Sequence, residues 1–124
     1  MGLYFKNITN ETLYLVYAYE KKNCEAKWAK KGWYTITPGQ EIKVWSGWAG
    51  HYKFLYYAEN KNVSKIWPDK NRNWKTFIPW EIFDMCWDLD YACSHPPCGN
   101  VGRYLEFGLI NPDWGTMDQT IRLK

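Results

Sequence analysis

Three groups of residues are of types that could do chemistry: four cysteines, a late run of carboxylates, and tryptophans interleaved with lysines. Cys86, Cys93 and Cys98 fall close together, with His95 between the last two, and Cys24 stands far upstream. Zinc takes four ligands, commonly presented as close pairs, so the only zinc set available is Cys24, Cys86, Cys93 and Cys98. Disulfides are the alternative: Cys93 with Cys98 across Pro96 and Pro97, and Cys24 with Cys86, which would pin a long loop to a sheet. Reduced thiols are the third state. The spacing favours no metal, and no cofactor is expected.

The carboxylates Glu81, Asp84, Asp88 and Asp90 could flank a glycosidic bond or hold a hard cation, the chemistry of a small hydrolase. Asp88 and Asp90 share a face of an extended chain. No calcium-loop template fits them, and a solvated acidic edge is the plainer reading. There is no Gly-x-Ser-x-Gly elbow and no phosphate-cradling glycine loop, and His51 and His95 are the only imidazoles. No catalytic residue is assigned.

The stretch Lys21, Lys22, Lys27, Trp28, Lys30, Lys31, Trp33 and Tyr34 alternates cations with rings. Such surfaces stack bases and track phosphates. A net charge of +3 is low for a dedicated nucleic-acid binder, whereas a nucleotide-like anion needs less. The expected role is therefore a non-enzymatic binding or interaction domain. Its recognition surface would use Trp28, Trp33, Trp45, Trp48, Trp67 and Trp74, which sit at or beside turns, with Lys30 and Lys31. A protein or small-molecule partner is expected rather than nucleic acid. A sensor or scavenger of a small anion is the second reading, and the hydrolase the third.

The elements that must position these residues are strands. Leu3–Thr9 and Thr12–Tyr19 read as a hairpin turned near Asn10, and the second run is apolar on both faces, as a covered central strand would be. A strand follows at Trp28–Ile36. Thr37-Pro38-Gly39-Gln40 is a turn, because Pro presets the first central position and Gly accepts positive φ at the second. Further strands are expected at Glu41–Trp45, His51–Glu59, Trp74–Ile78, Trp80–Cys86, Arg103–Leu109 and Gln119–Leu123, with an irregular stretch over Asp88–Gly102. Short alternating runs between strong turns predict an all-β fold, an antiparallel sandwich or small barrel of about seven to nine strands.

A length of 124 residues suits a single domain over 1–124. Aromatics make up 19% of the chain, with nine Trp and ten Tyr, so an all-aromatic core is awkward and some rings should reach a surface. Tyr4, Tyr17, Tyr19, Tyr52, Phe54 and Tyr56 fall on alternating strand positions and read as structural. No stretch is long and apolar enough to span a membrane, and Met1–Lys6 lacks the pattern of a signal peptide. A cytoplasmic location is expected, although a mature secreted form would look similar.

Several stretches together carry a resemblance. They are Tyr4-Phe5-Lys6-Asn7, Leu15–Tyr19, Lys31-Gly32-Trp33-Tyr34-Thr35-Ile36-Thr37-Pro38-Gly39-Gln40, Tyr56-Tyr57-Ala58-Glu59 and Trp67. In this order they resemble the bacterial domain-of-unknown-function family 1036, over most of the chain as far as Thr120–Leu123. The resemblance implies a small β domain with no assigned activity, and no site residue is carried over from it.

Overall fold

The computed structural model describes residues 1–90 and 102–124. Cys93, His95 and Cys98 lie outside the described residues, and with them the Cys93–Cys98 pairing and half of the zinc set. The described chain is all-β. Ten strands run in the order β1 (Gly2–Asn7), β2 (Leu13–Glu20), β3 (Trp28–Ile36), β4 (Glu41–Ser46), β5 (Phe54–Asn60), β6 (Ile66–Trp67), β7 (Arg72–Pro79), β8 (Phe83–Cys86), β9 (Gly102–Ile110) and β10 (Gln119–Leu123). They form two sheets: a small one, β10-β1-β4, and a large one, β7-β9-β5-β2-β3-β8, with β6 paired to β5.

The expected hairpin at Asn10 does not form, because β1 and β2 lie in different sheets. The corner is instead held by Asn7. Its buried amide donates to Glu11 O (2.7 Å) and Ile36 O (2.9 Å), while its oxygen accepts from Thr9 N (2.9 Å) and Thr9 Oγ1 (2.6 Å). The turn at Thr37–Gln40 forms, with Gly39 at φ 80° and Gln40 N donating to Thr37 O at 3.0 Å. It carries the chain back from the large sheet to the small one. The sheets are not purely antiparallel, since β1 and β10 pair in parallel. The predicted strand at His51 starts later, at Phe54, because Ala49–His51 makes a single 3-10 turn.

The strand β2 sits between β3 and β5 and is buried on both faces. Leu13, Leu15 and Tyr17 face a core shared with Leu3 and Phe5 of the small sheet. The Tyr17 hydroxyl crosses that core to donate to Val44 O at 2.8 Å. Val16 and Ala18 face a second core with Leu55, Tyr57, Ile78, Phe83, Leu105 and Phe107, all contributed by the large sheet itself. A sheet can cover its own face only by curling. Although β3 and β7 are separated by three strands, Lys30 Nζ on β3 donates to Thr76 Oγ1 (2.8 Å) and Phe77 O (2.6 Å) on β7, and to Leu89 O (2.6 Å) beyond β8. The large sheet is therefore a curled half-barrel.

Lys30 is thus not a surface cation, as its place in a basic run suggests, but is fully buried at the seam. Three oxygen acceptors satisfy its three donors, which is what a buried ammonium requires. Burial lowers its pKa from 10.5 to about 8, against the opposing pull of Asp88 and Asp90. At the outer end of the same strand pair, Cys24 and Cys86 form a disulfide, their Cα atoms 5.5 Å apart and 62 residues apart in sequence. It ties the basic loop before β3 to edge strand β8. Two of the four sulfurs of the zinc reading are thereby taken.

Two predictions follow from this frame. Closing a loop of 62 residues restricts the unfolded chain by about 4 kcal/mol in the loop-entropy treatment. The Cys24→Ala/Cys86→Ala pair should lose stability of that order in urea titration. The second concerns pH. Between about pH 8 and 10 the unfolded chain holds a proton that buried Lys30 has released, so stability rises with pH. Tyr17, Tyr19, Tyr56 and Tyr57 are all raised above 10 by burial, Tyr19 and Tyr56 to about 12. Above pH 10 the unfolded chain ionises them first, and stability falls. Each proton is worth about 1.4 kcal/mol per pH unit, and four tyrosines outweigh one lysine, so urea midpoints should peak between about pH 9 and 10. Lys30→Met should abolish the rising limb alone.

Candidate functional site

Among the described residues one end of the half-barrel is open, and its mouth is assembled from inward-facing positions on five elements. Tyr14 stands one step before Val16 and Ala18 on β2, Glu59 one step after Leu55 and Tyr57 on β5, and Arg103 one step before Leu105 and Phe107 on β9. Trp33 comes from β3 and Trp80 from the residue after β7. With Lys61 these six residues line a cavity of about 290 Å³.

Trp33 reaches the mouth because β3 is irregular there. Leu15 pairs with Tyr34 but Val16 with Gly32, so Trp33 is the extra residue of a β-bulge. Bulges re-aim a side chain at the rim of a curved sheet. Gly32 is needed at this point, since a Cβ would collide with Val16 of the neighbouring strand. The Trp33 indole Nε1 donates to Pro79 O at 2.8 Å, fixing the ring against the end of β7.

The floor of the mouth is a hydrogen-bonded charge pair. Arg103 Nη2 donates to Glu59 Oε1 and Oε2, both at 2.6 Å, and the Tyr57 hydroxyl donates to Glu59 Oε1 at 2.8 Å. Burial, then the bond to Glu59, pushes the Tyr57 hydroxyl well above its ordinary pKa, so it stays a donor. The guanidinium lies 4.6 Å from the centre of the Trp80 ring and 5.7 Å from that of Trp33, both within cation–π range. Arg103 Nε is buried and has no hydrogen-bond partner among the described residues. The Trp80 ring is 54% exposed. An exposed ring, a rigidly held indole and a buried donor with spare capacity therefore converge on one cavity. The charged lining is Arg103 and Lys61 against Glu59, a surplus of one positive charge.

The tryptophans named from the sequence do not share one surface. Trp33 lines the mouth. Trp28 packs against the inner core, and Trp45 is half-buried between Tyr52 and Phe54. Trp67 is buried, its Nε1 donating to Lys124 O at 3.0 Å, although it also borders a polar cavity of about 420 Å³ with Arg72 and Lys65. Trp74 is exposed on edge strand β7, and Trp48 is exposed near the far end of β5. Lys31 is half-buried beside Asp84 in the β3–β8 register. Tyr52, read as structural, is exposed.

None of Glu81, Asp84, Asp88 and Asp90 lines either cavity. Asp84 accepts from the Tyr19 hydroxyl at 2.9 Å, and Asp88 and Asp90 act on Lys30. No group of three or more His, Cys, Asp or Glu among the described residues is placed to hold a metal ion.

Trp80, Arg103, Glu59, Tyr14 and Lys61 were not singled out from the sequence. The signal available was parity: Glu59 and Arg103 fall on the same alternating positions as Leu55, Tyr57, Leu105 and Phe107, so opposite charges point into one apolar face. No family model matches the chain, and neither the curated proteins nor the solved structures contain a match.

Because Glu59 is buried, removing its cation should cost far more than removing the pair. Arg103→Ala should destabilise by about 3–5 kcal/mol, the range for stranding one member of a buried ion pair. Glu59→Met/Arg103→Met should lose clearly less than that single substitution in denaturant titration. A double variant as unstable as the sum of the two single ones would show that the charges are not coupled.

Proposed function

We propose that this is a non-enzymatic binding domain whose recognition surface is the aromatic mouth of the half-barrel. The ligand it suits is small, has a flat face to lie on Trp80, and carries an anionic acceptor for Arg103. A nucleotide or an aromatic carboxylate has that chemistry. The observation that carries the reading is that the Trp33 and Trp80 rings and the Arg103 guanidinium, 5.7 and 4.6 Å from them, line one cavity. Mouths of β-barrels are common places for such sites.

The carboxylates of the hydrolase reading stand apart from this cavity, which favours binding over catalysis. The resemblance to the bacterial family of unknown function 1036 fits the reading in fold and assigns no activity. The Cys24–Cys86 disulfide favours an oxidising compartment over the cytoplasm. No helix among the described residues is long and apolar enough to cross a membrane.

The test is a thermal-shift screen with nucleoside monophosphates and aromatic carboxylates. A ligand at a hundredfold its Kd stabilises the fold by about 2.7 kcal/mol, which reads as a clear rise in Tm. Trp80→Ala should remove that rise while leaving the free protein's Tm almost unchanged, because the ring is 54% exposed. No shift across both ligand classes, or a shift that survives Trp80→Ala, would overturn the proposal.

A further inference from the structure

A second aromatic feature lies at the opposite end of the large sheet. Glu59 and Arg103 mark the mouth at the end of β5 and the start of β9. Tyr52 stands two residues before β5, and Trp114 four residues after β9. Five residues of strand separate Phe54 from Glu59, or roughly 17 Å. At this far end His51 sits between two indoles, its ring centre 5.0 Å from that of Trp48 with the planes at 80°, and 5.0 Å from that of Trp114 with the planes at 50°, so the rings turn different faces and edges outward. The two indoles are unusually bare: Trp48 is 48% and Trp114 is 70% exposed.

These rings stand on a fixed base. The 3-10 turn at Ala49–His51 is clamped to the 113–117 turn by Ala49 N donating to Met117 O at 2.9 Å. Gly50 lies so close to Asp113 O and Thr116 O that any Cβ would collide with them. Thr116 N closes the second turn on Asp113 O at 3.0 Å. Two segments more than sixty residues apart in the chain are thus locked together, and the product is a row of solvent-facing rings. A folded protein gains nothing in core packing from that row. Rigid aromatics held in water supply contact area to a ligand at little entropic cost.

We propose that the Trp48–His51–Trp114 ladder is a second binding site, and that its ligand is a neutral carbohydrate chain. The charge around it selects the class. The segment from Ser46 to Tyr52 carries no Lys, Arg, Asp or Glu, and the segment from Asp113 to Met117 carries only Asp113. There is no cation in either turn to meet a phosphate, a carboxylate or an acidic lipid headgroup, and Asp113 would repel each of them. What the ladder offers is apolar ring faces and edges that hydrogen-bond: two indole N–H groups, the His51 imidazole and the Asp113 carboxylate, the Thr116 hydroxyl being engaged by Asp113 O at 3.1 Å. None of the ring nitrogens of Trp48, His51 or Trp114 has a protein partner among the described residues. A pyranose presents the matching pair of surfaces, C–H faces and a rim of hydroxyls. Two indoles flanking one imidazole suit consecutive sugar units of a chain rather than one free sugar.

The experiment uses the full chain and three soluble hexasaccharides: β-1,4-linked glucose, α-1,4-linked glucose and β-1,4-linked N-acetylglucosamine. Binding is read by calorimetry and by tryptophan fluorescence. At least one hexasaccharide should bind, and Trp114→Ala should weaken it roughly tenfold or more, as truncation of an aromatic anchor does. Trp114→Phe, which keeps a ring face, should retain most of the binding. Trp80→Ala, at the other end of the sheet, should bind as the unaltered protein does, which separates this site from the mouth. The proposal is overturned if no hexasaccharide binds at millimolar concentration, or if binding survives Trp114→Ala. It is also overturned if the ladder instead holds the protein on vesicles of phosphatidylcholine and phosphatidylserine while ignoring the sugars.

Discussion

The large sheet is apolar on both faces, and the small sheet can cover only one of them. That constraint organises the rest of the molecule. Leu13, Leu15 and Tyr17 of β2 are covered by the small sheet, whereas Val16 and Ala18 have only their own sheet to turn to. Curling brings β3 and β7 together and buries Leu55, Tyr57, Ile78, Leu105 and Phe107 in the bend. The curl then demands a seam, and Lys30 fills it by donating to three oxygens drawn from β7 and the segment after β8. It also demands an open end, and the mouth is that end.

The polar groups at the two ends of the curl behave differently for one reason, their access to water. At the seam Lys30 is sealed, so its charge is costly and its donors are all used. At the mouth Arg103 keeps a quarter of its side chain exposed. Its charge is neutralised by Glu59, its face is covered by Trp80, and its buried Nε has no partner among the described residues. The bulge at Trp33 is part of the same device, since without the extra residue the indole would sit elsewhere along β3.

The clamp at the far end serves a different purpose. Gly50 and the 113–117 turn approach closely enough to exclude any side chain between them, yet the rings they carry are left in water. The molecule thus has two aromatic surfaces at opposite ends of β5, one lining a charged cavity, the other exposed and nearly neutral.

The sequence alone carries the class of fold and most of the strands, though not β6 or the start of β5. Trp28–Ile36 and Gln119–Leu123 match their strands to the residue, and the Pro38-Gly39 turn follows from φ preferences that act within four residues. It also determined that β2 must be covered on both faces, because alternation reports burial directly. Strand partners were a different matter. Short loops at Asn10 and Pro38 look like hairpins, but both strand pairs are split between sheets, since pairing depends on which apolar face needs covering and not on loop length. Lys30 read as one of a run of surface lysines until the curl placed β7 across it. Trp67 and Trp28 sit beside turns in sequence and inside the molecule in space. Arg103, Glu59 and Trp80 are 21 residues or more apart along the chain, and only the closure of the half-barrel makes them neighbours. Local patterns fix which side of a strand faces inward; what that side then meets is set by contacts between distant residues, and those exist only in the folded molecule.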